Sequence, residues 1–330
     1  MAVTLRNMPL QLKLTIVGAA ALVLLVQLFL CWRWSREPPL FLEAVVVDEA
    51  PAVTGYLTVE TLIQTIDWLL EKPGGYLSND VYPLSWWLDN MPHFEFGVLV
   101  QSQDLSRILR TAYSRSPAQT EEHPALVAAE RAINSSHDKW VYPSTQRKLR
   151  EAEDALIVYR SQLVDREVSD AQFYTRADNL SEWLAIVERR LSELSLMLSA
   201  SVGQTEMNAN PAGEASADNL NQRQRAVLVK TPWTELDRVF FEARGSAWAL
   251  LQFMAAAQVD FDGVLAEKNA VVSLEQVMRE LEGALNPIRS PIILNGGGYG
   301  FFANHSLVLA SYISRAHSAV SDVRALLAQG

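Results

Sequence analysis

Cysteine is nearly absent, because Cys31 is the one cysteine among 330 residues. A single cysteine cannot form a disulfide within the chain, so a disulfide-stapled fold is excluded and the redox compartment stays undetermined. The hydrolase pattern Gly-x-Ser-x-Gly is missing too. The sequence therefore offers no visible nucleophile, and we assign no catalytic residue from it.

Histidines at the spacing of metal ligands are also missing. The five histidines are scattered, and none forms a His-x-x-x-His pair. A protein metal site usually gathers three or four histidine, cysteine or carboxylate ligands. We therefore predict no metal centre and no cofactor. The five positions are His93, His123, His137, His305 and His317.

Positive charge is scarce as well. The formal net charge is -10, and 24 of the 28 basic residues lie beyond the N-terminal 36 residues, against 38 acidic ones. An acidic body repels phosphate backbones and anionic lipid. No basic run offsets this balance, so the sequence argues against nucleic-acid binding and against a domain lying flat on a membrane.

What the chain does have is a long apolar run near its N-terminus. Leu14–Trp32 holds nineteen residues without a formal charge. A helix of this length spans roughly 29 Å, about the hydrocarbon thickness of a bilayer. Lys13 and Arg33 flank the run, as is common at membrane boundaries. We predict a transmembrane helix over Leu14–Trp34, preceded by a short tail at 1–13.

Two other interpretations of this run are a cleaved signal peptide and a buried core helix. A signal peptide has an apolar region of about 7–15 residues and then small residues at its cleavage site. This run is longer and is followed by Cys31–Arg36, and it has no polar face.

The Lys and Arg counts on its two sides nearly tie. A short tail inside and a large domain outside is the commoner arrangement, so we expect a bacterial inner-membrane protein with a periplasmic domain.

Beyond the anchor, apolar residues recur at helical spacing along most of the chain. The predicted fold class is therefore mainly α, with a single N-terminal transmembrane helix and an antiparallel helical bundle with long heptad-patterned helices. We expect a linker or apolar arm at 35–57 and a helical domain at 58–330. A polar, helix-poor stretch at 201–221 predicts a mobile loop within that domain.

Three segments repeat apolar residues at alternating spacings of three and four, which is a coiled-coil-like seam. Such seams predict left-handed, near-antiparallel packing at about 20°. They usually pack within one molecule, and docking of a partner or a second copy along Trp233–Phe261 is the alternative. The seam residues are Leu149, Ala152, Leu156, Tyr159 and Leu163; Leu180, Leu184, Val187, Leu191, Leu194 and Leu198; and Trp233, Leu236, Phe240, Ala243, Ala247, Leu250, Met254, Ala257 and Phe261.

Turn and cap signals predict several helix boundaries. An aromatic block rich in turn formers predicts a loop ahead of a helical pattern that runs from Phe96 to Tyr113. Ser169–Asp170 predicts the start of the second seam helix, directly after a short antiparallel turn. Thr231, followed by proline, predicts the start of the third seam helix. Asn304 or Ser306 is expected to cap the last helix.

Three sequence blocks resemble a known family. They are Gly74–Asp80, Leu88–Pro92 and Glu95–Leu99. Together they resemble an uncharacterised family of bacterial inner-membrane proteins catalogued as a domain of unknown function, over nearly the whole chain. The resemblance implies a helical envelope protein and its location, but no activity and no functional residues.

The glycine-rich stretch Asn295–Gly300 is the sharpest candidate for a ligand site. Successive glycines expose backbone N–H groups ahead of a helix, an arrangement that binds anions. In a phosphate loop, the last glycine is followed by Lys and then Ser or Thr, whereas Phe301 and Phe302 follow it in this sequence. A dinucleotide-binding fingerprint requires a preceding strand, and the sequence predicts none here. Ligand binding at Gly297, Gly298 and Tyr299 and a tight structural turn both stay open.

A second candidate site combines aromatic and acidic side chains between two predicted helices. Aromatic rings stack on sugars or peptides, and a carboxylate pair such as Asp89 and Glu95 could hydrolyse a glycosidic bond. Their separation does not follow from spacing, and aromatics beside proline also occur in packed loops. The candidate ligand-binding residues here are Gly75, Tyr76, Trp86, Trp87, Asp89 and Glu95.

An anchor, long seams and no catalytic constellation favour a membrane-anchored scaffold or accessory protein of the bacterial envelope. The expected partners are the membrane, through Leu14–Trp34, and other envelope proteins, with a homo-oligomer as a further alternative. The rival hypothesis is a ligand-binding or hydrolytic domain that acts on envelope material through the Gly74–Glu95 and Asn295–Phe302 loops. It requires these two loops to meet around one polar pocket.

Overall fold

The computed structural model describes residues 10–40, 53–79, 90–115, 121–165, 171–202, 204–206, 227–229, 232, 235–288, 293–296 and 303–329. The fold is built from these segments.

Helix α1, Leu10–Trp34, is the apolar rod that the sequence predicts. Its stretch Gln11–Trp34 is long and apolar enough to cross a membrane, and the domain buries none of it. Each large apolar side chain gains about 1.5–3 kcal/mol when it leaves water. An apolar helix without a protein partner is therefore suited to lipid, as an anchor or as a signal sequence.

The described chain after α1 folds into nine further α-helices and one small hairpin, so the predicted mainly α fold is confirmed. The helices are α2 (Tyr56–Glu71), α3 (Asn90–Ile108), α4 (Pro124–Ile133), α5 (Thr145–Val164), α6 (Ala177–Ser199), α7 (Leu236–Asp260), α8 (Asp262–Glu267), α9 (Val271–Ala284) and α10 (His305–Ala328). A π-helical turn, Leu109–Tyr113, extends α3, and a 3-10 turn, Ala200–Val202, extends α6. Strand β1 (Gln204–Glu206) pairs antiparallel with β2 (Val227–Val229).

Helix α7 forms the centre of the domain. It packs against α2, α3 and α9 and buries side chains around most of its circumference, as expected of a core helix. Helix α5 packs on α4 and α2, while α6 packs on α10. The seam residues of α5 and α6 are buried. The described seam residues of the third segment, from Leu236 in α7 to Phe261 directly after it, are buried too. These seams therefore serve packing within the domain.

Helices α3 and α7 lie so close together that two glycines are required. A Cβ atom on Gly97 would overlap the carbonyl oxygen of Glu242, and one on Gly245 would overlap the carbonyl oxygen of Phe94. The Ser246 hydroxyl donates to the carbonyl oxygen of Gly97 at 3.3 Å. Close backbone approach is a common reason for glycine inside a helix.

Two predicted helix starts are wrong. Helix α3 begins at Asn90 rather than Phe96, because Pro92 lies in the first turn, where a proline costs no helical hydrogen bond. Helix α6 begins at Ala177 rather than near Ser169–Asp170. Residues 171–176 are not helical, since tertiary contacts hold them in another conformation.

The contacts of residues 171–176 explain the late start of α6. The Phe173 ring lies 5.0 Å from the Tyr113 ring and 5.7 Å from the Phe261 ring. The Tyr174 N–H donates to the carbonyl oxygen of Tyr113 at 2.7 Å. The predicted antiparallel pairing of α5 with α6 is also wrong, because α5 packs mainly on α4 and α6 mainly on α10.

Other predicted boundaries have different outcomes. Asn304 caps α10, since the Leu307 N–H donates to its side-chain oxygen at 2.9 Å. Thr231 lies outside the described residues, and the described helix α7 begins at Leu236. Of the loop predicted at 201–221, the structure describes only residues 201–202, in the 3-10 turn, and strand β1.

The bundle has two distinct ends. Helices α2 and α7 run antiparallel, since the Trp68 and Trp248 rings lie 5.1 Å apart near one end and Thr58 hydrogen-bonds Asp260 at the other. The first is called the anchor end, because the chain that leaves α1 contacts it through the Pro39 carbonyl. The second is called the far end.

Candidate functional site

The loop after α2 is shaped by two glycines. Gly74 and Gly75 have φ angles of 92° and 68°, a left-handed conformation that strains other residues. The Gly75 N–H donates to the carbonyl oxygen of Lys72 at 2.8 Å. A Cβ atom on Gly74 would lie 2.9 Å from the Trp34 ring at the end of α1. This lysine loop, Lys72–Asn79, therefore turns tightly against the end of α1.

A buried ion pair lies inside the lysine loop. Lys72 Nζ is 2.7 Å from Glu95 Oε1, and the two side chains are 2% and 0% exposed. Lys72 also donates to the carbonyl oxygen of Gly75. Buried charges are tolerated when they are paired and hydrogen-bonded. The pair thus joins the end of α2 to the first turns of α3.

Both oxygens of the Glu95 carboxylate accept hydrogen bonds from this loop. The N–H groups of Leu77 and Ser78 donate to it at 2.9 and 2.8 Å, and the Ser78 hydroxyl donates at 2.6 Å. Together with Lys72, these donors occupy both oxygens. A carboxylate held in this way cannot take a proton from a substrate without breaking the loop. Glu95 therefore acts as a structural cap.

An amide pair ties the lysine loop to the connector between α4 and α5, residues 134–144. Asn79 Nδ2 donates to the carbonyl oxygen of Lys139 at 2.7 Å. Asn79 and Gln146 also exchange two amide hydrogen bonds, of 2.8 and 2.9 Å. These bonds fix the connector beside the loop.

Tyr76 makes a second link to the connector. Its ring is 1% exposed, and its hydroxyl donates to the carbonyl oxygen of His137 at 3.0 Å. Burial, reinforced by the charge of Glu95, raises the pKa of Tyr76. The phenol therefore stays a neutral hydrogen-bond donor at physiological pH.

The exit segment, residues 35–40, is bound to the same end of the bundle. The Glu37 carboxylate accepts two hydrogen bonds from Arg244, one of them at 2.6 Å. Arg244 is 3% exposed and also donates to the carbonyl oxygens of Ala284 and Asn286, at 2.9 and 3.0 Å. Carbonyl groups at a helix C-terminus lack intrahelical partners. Arg244 therefore joins the exit segment, α7 and the end of α9.

Aromatic rings complete this assembly. Trp248 Nε1 donates to the carbonyl oxygen of Pro39 at 3.3 Å. The Trp68 ring lies 5.1 Å from Trp248 and 6.0 Å from Phe94. A cavity of about 270 Å³ lies between residues 33–39 and the end of α2. The exit segment, the lysine loop, the buried arginine and these rings are called the anchor junction.

A second cavity, of about 220 Å³, lies beside Arg244 between α7, α9 and α10. All five guanidinium N–H groups have acceptors, because Leu285 takes the remaining one. His305 accepts a hydrogen bond from the Leu294 N–H at 2.9 Å. The cavity therefore has no spare arginine donor with which to bind an anion. Across the described residues, no three His, Cys, Asp or Glu side chains group as metal ligands.

The family described as an uncharacterized protein conserved in bacteria (DUF2333) matches residues 8–330. The chain belongs to this family. The match covers the apolar helix, the anchor junction and the whole bundle, and it confirms the resemblance seen in the sequence blocks. No curated protein and no solved structure matches the chain. DUF2333 thus gives this bacterial protein a family without an activity.

Three of the predicted site residues are described, namely Gly75, Tyr76 and Glu95. All three lie in the anchor junction, and each has a structural role there. The other six lie outside the described residues, so their ligand binding stays a prediction. They are Trp86, Trp87, Asp89, Gly297, Gly298 and Tyr299.

The described flanks of the second glycine loop contact each other. Asn295 and Asn304 form an antiparallel bridge, and the Gly296 N–H donates to the carbonyl oxygen of Ala303 at 3.1 Å. Asn304 also donates to the carbonyl oxygen of Gly296 at 2.7 Å. These contacts close the base of the loop as a turn does.

The pairing of Arg244 with Glu37 was not predicted from the sequence. The two residues are 207 positions apart, so no local pattern connects them. One signal does exist, because Arg244 interrupts a run of small and apolar residues in the central helix. A charge buried in such a helix needs a partner, but only the folded chain identifies it.

Proposed function

We propose that α1 is a retained anchor in the bacterial inner membrane. We further propose that the helical domain, on the periplasmic side, is a scaffold or accessory subunit for other envelope proteins. The observation that carries this proposal is the anchor junction. The residues next to α1 are bonded to buried groups of the domain, so anchor and domain form one continuous unit.

Retention of the anchor is supported by the contacts at the C-terminal end of α1. Trp34 ends the helix and lies against Gly74, and Glu37 pairs with the buried Arg244. A cleaved signal sequence leaves the mature protein and needs no contacts with its core. Removal of the chain through Glu37 would leave a buried guanidinium without its carboxylate, which is strongly destabilising.

A scaffold role is favoured over hydrolysis by how the polar groups are used. Both oxygens of Glu95 and all five N–H groups of Arg244 are occupied by the fold. In the described part of the first candidate loop, Glu95 is therefore not available as a general acid or base. The domain instead offers long helices with exposed apolar residues on α6 and α10, such as Leu196 and Val308.

Membrane retention is tested with the full-length protein carrying a C-terminal tag. We expect it in the membrane pellet after an alkaline carbonate wash, soluble only in detergent, and with the mass of the intact chain. A soluble full-length protein, or a mature form that lacks α1, would contradict the proposal.

The side of the membrane is tested with single cysteines. Cys31→Ser removes the one native thiol, and Val272→Cys adds one at a side chain that is 69% exposed. A membrane-impermeant maleimide should label this variant in cells whose outer membrane is permeabilised. The matched control, Ala2→Cys in the tail, should react only after lysis. The reverse pattern would place the domain in the cytoplasm.

The scaffold role is tested by photo-crosslinking in intact cells. A photoreactive residue replaces Leu196 or Val308, which are 57% and 55% exposed. Recovery of the same envelope protein from both positions, or of a second copy of this chain, supports the role. Recovery of lipid or sugar alone would refute it. Val272, which is 69% exposed, is the control position.

A further inference from the structure

An exposed aromatic tip projects from the connector between α4 and α5. Its residues, Trp140, Val141 and Tyr142, are 67%, 61% and 75% exposed. Outside α1, no other described segment exposes three consecutive large apolar side chains. Exposure of such a run to water is unfavourable and commonly marks an interaction surface.

The aromatic tip lies at the anchor end of the bundle. The connector is bonded on both sides of the tip to the lysine loop, through His137 and Lys139 before it and Gln146 after it. The lysine loop in turn lies against Trp34, the last residue of α1. A short chain of direct contacts therefore links the tip to the point where the anchor leaves the domain.

With α1 in the bilayer, the anchor end is also the end that faces it. The domain buries none of the most apolar part of α1, and Trp34 at the end of the helix packs against the core. Lipid around α1 therefore begins where Trp34 meets the bundle. The loops that surround this point, including the connector, are the parts of the domain nearest to the lipid headgroups.

The residue types of the tip suit that level of the membrane. Trp and Tyr are enriched at membrane–water interfaces, where the ring meets lipid and the polar atom meets water. Residues 134–151 carry four Lys or Arg and two Asp or Glu, although the whole chain has a net charge of -10. Arg147 and Lys148 pair with Glu151 at the surface, and Arg150 pairs with Glu71. The Arg147 guanidinium lies 4.8 Å from the centre of the Tyr142 ring. Positive charge beside exposed aromatics is favourable next to anionic lipid.

We propose that the aromatic tip inserts into the headgroup region of the bilayer that α1 spans. The inference rests on the proposed membrane anchoring and adds a second contact, which fixes the tilt of the domain. A bilayer is the occupant that the position of the tip favours, because the lysine loop links the connector to Trp34 at the end of the anchor. Only one end of the acidic domain touches lipid in this arrangement.

The test uses full-length protein in vesicles of phosphatidylcholine and phosphatidylglycerol. In the Cys31→Ser background, an environment-sensitive fluorophore is attached at Val141→Cys, in the tip. The matched control is Val272→Cys, which is similarly exposed, at 69% against 61%, at the start of α9. A third variant, Val23→Cys, reports on the middle of α1. Circular dichroism checks that each variant keeps its helicity.

We expect a headgroup-level spin-labelled lipid to quench the probe at 141 several-fold more strongly than the probe at 272. A spin label deep in the acyl chains should quench the probe at 23. Strong quenching at 23 with equal, weak quenching at 141 and 272 would overturn the tip contact and leave the anchor intact. No quenching at 23 would instead refute the anchor. A blue-shifted but unquenched probe at 141 would indicate burial against protein and also overturn the inference.

Discussion

Both ends of the bundle pack aromatic rings, but they differ in their buried charges. At the anchor end, two buried cations pair with carboxylates, Lys72 with Glu95 and Arg244 with Glu37. At the far end, the rings of Tyr113, Phe173 and Phe261 pack together.

The far end has a half-buried carboxylate, which serves a different purpose. Asp260, the last residue of α7, accepts hydrogen bonds from the N–H groups of Gly55 and Thr58 at 2.8 and 2.7 Å. It thereby caps the start of α2, where a negative charge also suits the helix dipole. Burial raises the pKa of Asp260, while the hydrogen bonds from Thr58 and Gly55 lower it.

The two ends show where each kind of interaction is useful. Aromatic packing closes an end through apolar contact, whereas charge pairs of fixed geometry position particular segments. The anchor end must hold an exit segment, a loop and a connector in one arrangement. We infer that its charge pairs contribute specificity of position, and substitutions at both ends test that difference.

Glu95→Gln should have the largest effect. It leaves the buried Lys72 without a counter-charge, and removal of one partner of a buried pair costs about 3–5 kcal/mol of unfolding free energy. The measurement is urea unfolding of the full-length protein in detergent. Glu71→Gln is the control, because Glu71 and its partner Arg150 are each 64% exposed, and exposed pairs contribute about 0–1 kcal/mol. If both variants lost a similarly small amount of unfolding free energy, the buried pair at the anchor end would contribute no more than an exposed pair.

Gly97→Ala should be the next most damaging change. The added methyl group would force α3 away from α7 at the Glu242 carbonyl, and overpacking of this kind costs about 1–3 kcal/mol. Gly263→Ala in α8 is the matched control, since no atom lies within 4 Å of the added methyl group. It should gain up to about 1 kcal/mol from helix propensity. Denaturant unfolding compares the two, and equal effects would contradict the close approach.

Glu37→Gln should act locally on the anchor end. Arg244 would keep its carbonyl acceptors on α9 but lose its charged partner, at a cost of about 1–3 kcal/mol. Hydrogen exchange should speed up in the last turn of α9 and in the exit segment. The start of α2 at the far end should be unchanged. Uniform acceleration at both ends would mean that the pair stabilises the whole fold rather than the junction.

Asp260→Asn should change the pH dependence of stability and have the smallest overall effect. The folded pKa of Asp260 is raised, so the folded state holds its proton at a pH where the unfolded chain has released it. Stability of the native protein should therefore fall as pH rises from the usual aspartate pKa to the raised one. The variant should lack this contribution. Urea midpoints measured across that range test it, and parallel curves for both proteins would contradict the assignment.

Most elements follow from local patterns in the sequence. The apolar run predicts α1, because its length and lack of charge are enough to define it. The seams predict α5, α6 and α7, since a helix that packs on one face repeats apolar residues at 3.6-residue spacing. The wrong start of α6 has a tertiary cause, because Phe173 is held by Tyr113 and Phe261.

The candidate site was only partly predictable. Gly75, Tyr76 and Glu95 stood out because glycine, aromatic and acidic residues are common in ligand sites. In the fold, Glu95 lies in α3 and binds Lys72 and the backbone of the lysine loop. Residue type and spacing do not distinguish a carboxylate that binds a ligand from one that caps a loop, since both need the same oxygen atoms.

By itself, the sequence determined the apolar helix α1, the helical class of the domain and the faces that its seams bury. These properties depend on residues a few positions apart, and backbone geometry translates such spacing directly into structure. Only the tertiary structure decided that Arg244 meets Glu37, that Gly97 lies against α7, and that the connector with the aromatic tip is bonded to the lysine loop. Those contacts join residues far apart in the chain, and they form only when the packed helices bring them together.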